Sequence, residues 1–366
     1  MGIDQYYLLG RSGLRVSRLA LGTMNFGTGG FHASYGKTAD EVRPILHAYL
    51  DAGGNFIDTA DFYTAGQSET ILGELLKEAG IRDRVVLTSK FTNSMYPGDP
   101  NGGGNGRKHM MRALDASLRR LGTDYLDVYL LHSWDRLTPV DEVMRTFDDL
   151  MRAGKIRYAG ISDTPAWYAA QAQTFAQANG LTPLINIQLP YSLIDRTIET
   201  EHVPMGQALG LGVTAWSPLG QGFLSGKYRA DDRGVTGSGR LAATGASSLD
   251  LTDRHWQLLT PLAEVADKLG VTMAQVAINW VATQPGIAAA IVGASSAEQL
   301  SATMAALDVD IPAELRTVLD DASAVPPASV YKMFTPQYQQ SIVSAGAKVA
   351  DKPDGYQRAV QNWVSA

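Results

Sequence analysis

Cysteine is missing from all 366 residues. That absence excludes disulfides, thiolate nucleophiles and zinc–thiolate centres. Long apolar runs are missing too: no stretch approaches the roughly eighteen apolar residues of a membrane helix, so no membrane partner is expected. Positive charge is in deficit, with 31 Lys and Arg against 37 Asp and Glu and a net charge of −6, so there is no basic footprint for nucleic acid. The opening MGIDQYYLLGRSG lacks a basic region followed by an apolar one, which argues against a signal peptide. Tyr6 stands where a myristoylation signal would carry Ser or Thr. The glycines of 27–30 and 102–106 fit neither a GxxxxGK(S/T) nor a GxGxxG frame, so no phosphate loop of those kinds is expected. The expectation from these absences is a soluble, cytoplasmic protein.

What is present is an ordinary globular composition, 45% hydrophobic with a mean hydropathy of −0.09. The length suits either two average domains or one α/β barrel. Eight short apolar runs read as strands: LALGTM (19–24), NFIDTA (55–60), VVLTSK (85–90), YLDVYLLH (125–132), YAGISD (158–163), LINIQL (184–189), GVTAWS (212–217) and AAAIVG (288–293). Continuous apolar runs suit strands covered on both faces, as in a parallel sheet. Amphipathic stretches such as KTADEVRPILHAYLDAG and RKHMMRALDASLRRLG lie between them, the second with Gly122 as a helix stop. Eight β–α pairs with no obvious linker predict a (β/α)8 TIM barrel, one domain over 1–366. A hairpin turning at Ser12-Gly13 precedes it. Long loops at 93–106 and 219–250, and a tail from about 325 to 366 with Tyr331, Phe334, Tyr338, Tyr356 and Trp363, are expected near the substrate mouth.

The strand ends carry the chemistry. In NFIDTADFYTAGQSE, Asp58 closes an apolar run and Tyr63 follows five residues on. Lys90, His132, Ser162 with Asp163, Gln188 and Trp216 end five of the other runs. Singly, each has an ordinary account: Asp58 as a turn cap, Lys90 reaching water, His132 as a satisfied core histidine, Tyr63 half-buried in a loop, Trp216 in the core. Together they converge on the carboxyl rim of a barrel, where active sites lie. A buried carboxylate beside an ammonium satisfies both charges. The ammonium beside a phenol lowers the tyrosine pKa, which suits proton transfer. An imidazole N–H can polarise a carbonyl oxygen, and an organic cofactor is then the natural source of hydride.

These motifs, with KIRYAGISD, INIQLPYSL and AWSPLGQGFLSGKY, resemble those of the aldo-keto reductases over nearly the whole chain. The insertion before GNGRKHMMRALDASLRRLGTDYLDVYLLHSWD, with the later SDTPAW, is similar to the aryl-alcohol dehydrogenase-like branch. The resemblance implies an NADP(H)-dependent oxidoreductase, with NAD(H) left open. It makes Tyr63 the general acid, tuned by Lys90 and Asp58, with His132 orienting the substrate carbonyl. It assigns Thr23, Met24, Asp58, Ser162, Asp163, Gln188 and Trp216 to the nicotinamide side of the cofactor. Ser217, Pro218, Leu219, Gly220 and Lys227 match the pyrophosphate loop, and Gly293, Ser295 and Gln299 match the adenosine-phosphate side. Family members often carry Asn at Asp163, Glu and Asn at Ala302 and Thr303, and an Arg near Ser295 that this chain lacks. Arg240 is the candidate to supply the missing charge.

Met24, Phe26, Tyr96 and Trp134 are candidates to wall an apolar pocket for an aryl or bulky carbonyl substrate. A deoxysugar-type keto intermediate is the alternative substrate. Two rival functions stand beside the reductase. A Schiff-base aldolase needs a neutral lysine, which a neighbouring Asp58 opposes. A non-catalytic nucleotide-sensing subunit, similar to potassium-channel β-subunits, typically carries Asn where this chain has His132.

Overall fold

The computed structural model describes residues 2–347 apart from 232–233, 238, 240, 242–248, 250 and 327. Eight parallel strands close on themselves in the order β12-β3-β4-β5-β6-β7-β8-β9. They are β3 (Leu19–Gly22), β4 (Phe56–Asp58), β5 (Val86–Phe91), β6 (Leu126–Leu131), β7 (Ile156–Ser162), β8 (Asn186–Pro190), β9 (Gly212–Trp216) and β12 (Ile287–Val292). All eight predicted runs overlap these strands, and the (β/α)8 barrel is as expected. Strand β5 is buried at every position, because helices cover its outside and barrel packing fills its inside.

The helices follow from local sequence. Helix α1 (Ala39–Asp51) starts at a reciprocal cap: Glu41 donates its main-chain N–H to Thr38 Oγ1, and its carboxylate accepts from the Thr38 N–H at 2.8 Å. Helix α3 (Arg107–Leu121) stops at Gly122, whose φ of 62° a side chain would resist. Helices α2 (Gln67–Ala79), α4 (Val140–Arg152), α5 (Ala166–Ala178), α6 (His202–Leu209), α7 (Asp253–Leu269), α8 (Met273–Ala282), α9 (Ala297–Met304) and α10 (Ala313–Ser323) complete the set used below. None of the described helices is long and apolar enough to cross a membrane.

The predicted N-terminal hairpin is β1 (Tyr6–Leu8) against β2 (Arg15–Ser17), and it plugs the amino end of the barrel. Its Leu9 and Val16 join Ala20, Phe56, Val86, Val128 and Leu130 in the inner core, with no surface left exposed on Leu9 or Val16. Gly10, at φ +58°, is required there: a Cβ would lie 2.2 Å from the Ile185 carbonyl oxygen. With that end sealed, access is confined to the carboxyl ends of the strands. Two long segments rise at that end, 92–106 after β5 and the segment after β9. The second differs from the expected plain loop, because Arg229–Asp231 (β10) pairs with Gly234–Thr236 (β11) as a short antiparallel hairpin.

Candidate active site

The apolar run of β4 carries the Asp58 side chain into the barrel, where it is 2% exposed. Lys90, near the end of the adjacent β5, is fully buried, so both charges must be met inside the protein. Lys90 Nζ donates to Asp58 Oδ1 at 2.5 Å, to the Thr59 carbonyl at 2.9 Å and to Tyr63 Oη at 3.2 Å. The three donors of the ammonium are thereby all directed. The other Asp58 oxygen accepts from Gln188 Nε2 at 2.8 Å, a partnership across the barrel that the sequence did not announce. From below, the Thr23 main-chain N–H and Oγ1 both donate to the Asp58 carbonyl, so the Thr23 hydroxyl is engaged in holding the strand.

Tyr63 is placed by strained backbone. Thr64 and Ala65 follow it with φ of 48° and 59°, a left-handed pair without glycine. Thr64 Oγ1 donates to the Phe26 carbonyl at 2.6 Å and accepts from the Ser68 N–H at 3.0 Å, which holds that turn. Such strain, of order 1–3 kcal/mol per residue, persists only where surrounding contacts impose it. Asp163 and Ser217 also have positive φ, 44° and 54°, at the ends of β7 and β9. These four strained residues lie just beyond strand ends that carry the predicted site.

The His132 ring lies edge-on to Tyr63 with centroids 5.8 Å apart, and Phe62 packs 5.2 Å from each of the two rings. His132 Nδ1 faces Asn93 Nδ2 at 3.4 Å. Asp58, Tyr63, Lys90 and His132 are thus brought into one cluster. Its electrostatics correct one expectation. Burial pushes the Tyr63 phenol above its ordinary value, and the pull of Lys90 in the opposite direction does not cancel it. Burial opposes the Lys90 charge, but Asp58 and Tyr63 outweigh it and hold the ammonium's pKa up. The site at rest holds a protonated phenol beside a charged lysine.

The cofactor-side candidates line the same rim. Ser162 is buried at the end of β7 and stands in register with Gln188. Trp216 Nε1 donates to Asp163 Oδ1 at 3.0 Å, which orients the half-buried indole. The protein around the Asp163 carboxyl pushes its pKa up to about 6, against the Trp216 hydrogen bond and Lys90, although the side chain still faces solvent through the mouth. After β9, Ser217 to Gly220 close a tight turn through a Gly220 N–H to Ser217 carbonyl bond of 2.8 Å. Pro218 is buried and Leu219 half-buried in that turn, and Lys227 beyond it is exposed. After β12, Gly293 is exposed, and Ser295 donates from its N–H and hydroxyl to Gln299 Oε1 in the first turn of α9. Met24 is half-buried at the end of β3. Arg240 lies outside the described residues.

The substrate-side candidates separate. Phe26 is fully buried in the core, with no surface exposed at the mouth. Tyr96 stacks under the Arg112 guanidinium, 3.4 Å from its ring centroid, and so is tied to α3. Trp134 turns toward Trp167 and Tyr168 on α5. In the tail, Tyr331 donates to Glu201 at 2.5 Å, just before α6, while Tyr356 and Trp363 lie outside the described residues.

A parallel barrel with a buried Asp–Lys–Tyr cluster and a histidine against the phenol at its open end is the architecture of a barrel oxidoreductase. A sequence model of the aldo/keto reductase family matches residues 18–323, and the chain belongs to that family. Among its relatives is an uncharacterized oxidoreductase, YrpG, of Bacillus subtilis (strain 168), 37% identical over 87% of this chain and 95% of that protein. A probable voltage-gated potassium channel subunit beta of Oryza sativa subsp. japonica is 36% identical over 88% of this chain and 96% of its own length. The aryl-alcohol dehydrogenase GME11368 of Pestalotiopsis microspora is 34% identical over 82% of this chain and 77% of its own.

Proposed function

We propose that this oxidoreductase reduces an aldehyde or ketone to the alcohol, reversibly, with NADP(H) as cofactor and Tyr63 as the proton donor. The observation that carries the reading is the single ammonium of Lys90 bonded at once to Asp58, the Thr59 carbonyl and the Tyr63 hydroxyl. When bound, the nicotinamide supplies hydride to the carbonyl carbon. The residues present suit such a cofactor. Trp216, held by Asp163, offers a flat face, and Ser162, Asp163 and Gln188 offer amide-matching groups. The start of α9 and exposed Lys227 offer favourable positions for phosphate.

The protein's own part in the chemistry is proton delivery and charge control. His132 donates toward the substrate oxygen and orients the carbonyl beside Tyr63. Tyr63 gives up its proton as the alkoxide forms, and the neighbouring Lys90 ammonium stabilises the resulting phenolate. Asp58 keeps that ammonium charged, and Gln188 fixes the second carboxylate oxygen. Alcohol oxidation runs the same groups in reverse. A charged, triply bonded Lys90 also argues against Schiff-base chemistry.

The relatives named as aryl-alcohol dehydrogenase and norsolorinic acid reductase support an aromatic carbonyl substrate over a sugar. The relatives named as potassium channel β-subunits support a second reading, a nucleotide-sensing subunit. Titration with NADPH and NADH separately, followed by oxidation of each with 4-nitrobenzaldehyde, tests both. Tight NADPH binding with turnover supports the reductase. Binding without turnover of this or any other aryl carbonyl moves the balance to the sensing reading, and no binding contradicts both.

A further inference from the structure

The glycine-rich loop 92–106 contributes no member of the Asp58, Tyr63, Lys90 and His132 cluster, yet both its ends are fastened to the segment that carries His132. Asn105, with no exposed surface, donates from Nδ2 to the Ser133 carbonyl at 3.0 Å and from its main-chain N–H to Asp135 Oδ2 at 2.8 Å. A carbonyl can only accept, so the Asn105 amide has one possible orientation, and its Oδ1 meets Thr92 Oγ1 at 2.6 Å. That oxygen also can only accept. The Thr92 hydroxyl therefore donates to it and keeps a lone pair for the His132 main-chain N–H at 3.1 Å, which is shared with the Phe91 carbonyl at 2.9 Å. The Gly104 N–H closes the loop onto the Thr92 carbonyl at 2.8 Å. Thr92 is buried with φ of 116°, a region that a β-branched residue rarely enters. Strain of this kind persists where surrounding contacts impose it, and here they are the bonds just named. The next residue, Asn93, is held against the imidazole, with its Nδ2 3.4 Å from His132 Nδ1.

We infer that Asn93 is a positioning residue that sets the tautomer of His132. An amide nitrogen donates and does not accept, so the Nδ1 opposite it is the acceptor. The proton of the neutral imidazole then sits on Nε2. Nε2–H is the group that can donate to a substrate oxygen, whereas the other tautomer would offer that oxygen a lone pair. At 3.4 Å the bond is a weak one, and its effect is to bias two otherwise similar tautomers. The ring itself is held by packing, with Phe62 at 5.2 Å and Tyr63 at 5.8 Å between centroids. The value of the Nε2–H to catalysis rests on the reductase reading; the tautomer does not.

The test is long-range proton–nitrogen correlation on the full chain labelled with nitrogen-15, at a pH above the ordinary imidazole range. The His132 ring signals are assigned by their loss in His132→Gln. The expected result is a proton on Nε2 in the wild type, on Nδ1 in Asn93→Asp, whose carboxylate can only accept, and a mixture in Asn93→Ala. With NADPH and 4-nitrobenzaldehyde, kcat should fall on the order of 10²-fold in Asn93→Asp, the scale for loss of one positioned donor, and by less in Asn93→Ala. The dissociation constant for NADPH should be unchanged in both. Asn93 is half-buried, and the amide spectrum of each variant reports its fold. A proton on Nδ1 in the wild type would overturn the inference without recourse to any variant. So would the same tautomer in all three proteins. A ring that changes tautomer while turnover does not would uphold Asn93 in this role and count instead against His132 as the donor to the carbonyl.

Discussion

Gln188 Nε2 meets Asp58 Oδ2 at 2.8 Å across the inside of the barrel, 130 residues away in sequence. That bond completes the coordination of a carboxylate whose other oxygen is held by Lys90 at 2.5 Å. Strands β8 and β4 are thereby joined at the level where Tyr63 enters, and each carboxylate oxygen of the buried pair has a donor. A buried ion pair tolerates its desolvation only under such conditions.

The first prediction concerns that pair. Lys90→Met leaves Asp58 buried without a counter-charge and should cost about 3–5 kcal/mol of stability in urea unfolding. Adding Asp58→Asn should restore most of that stability, because no charge then stays buried, but not the turnover. A double variant as unstable as the single one would show that the loss comes from packing, not charge.

The second concerns pH. Tyr63 and Lys90 both have raised pKa values. Reduction, which uses the protonated phenol, should therefore show no fall from pH 7 to about 9, below the ordinary tyrosine value. Alcohol oxidation, which requires the Tyr63 phenolate as the base, should rise over the alkaline range. On the acid side, desolvation by the surrounding protein pushes the Asp163 carboxyl up to about 6. The dissociation constant for NADPH should change near that pH in the wild type and lose the step in Asp163→Asn. A profile unchanged by that substitution would remove Asp163 from the cofactor site.

Asp61 supports a third prediction. It is 1% exposed, its oxygens lack well-formed hydrogen bonds, and burial together with Glu69 raises its pKa well above the usual range, against Arg120, the Phe62 N–H and Lys90. The folded protein then holds this proton more tightly than the unfolded chain. Its contribution is complete below about pH 4 and is lost as pH rises toward the folded-state value. Asp61→Asn should thus gain stability over the wild type at pH 8 by more than at pH 5. An equal difference at the two pH values would mean that Asp61 is ionised in the fold.

Gly220 supplies the fourth. With φ of +51° and a Cβ position 2.4 Å from Ile194 Cδ1, Gly220→Ala should deform the turn after β9. NADPH affinity should fall at least tenfold, on the roughly 1–2 kcal/mol a left-handed residue costs without glycine, plus the clash. Unchanged affinity would separate this turn from the cofactor.

Much of this was legible from residue pattern alone, for a physical reason. Strands covered on both faces must be apolar throughout, so LINIQL and AAAIVG declare themselves, and polar groups at their ends have few places to go except the mouth. Asp58, Tyr63, Lys90 and His132 were visible for that reason and through the family resemblance. Contacts between distant segments were not. Nothing in INIQL points Gln188 at Asp58, and nothing in HSWD says that Trp134 turns outward to α5 while Phe26 is sealed in the core. The direction of the Tyr63 shift was also hidden, because it depends on the depth of burial, which outweighs the neighbouring charge.

The most direct test is Tyr63→Phe, compared with the wild type for NADPH binding and for NADPH oxidation with 4-nitrobenzaldehyde. The account predicts unaltered nucleotide affinity and turnover lower by at least about 10²-fold, the usual scale for loss of a positioned acid. Turnover within a few-fold of the wild type would contradict the assignment of Tyr63 as the proton donor.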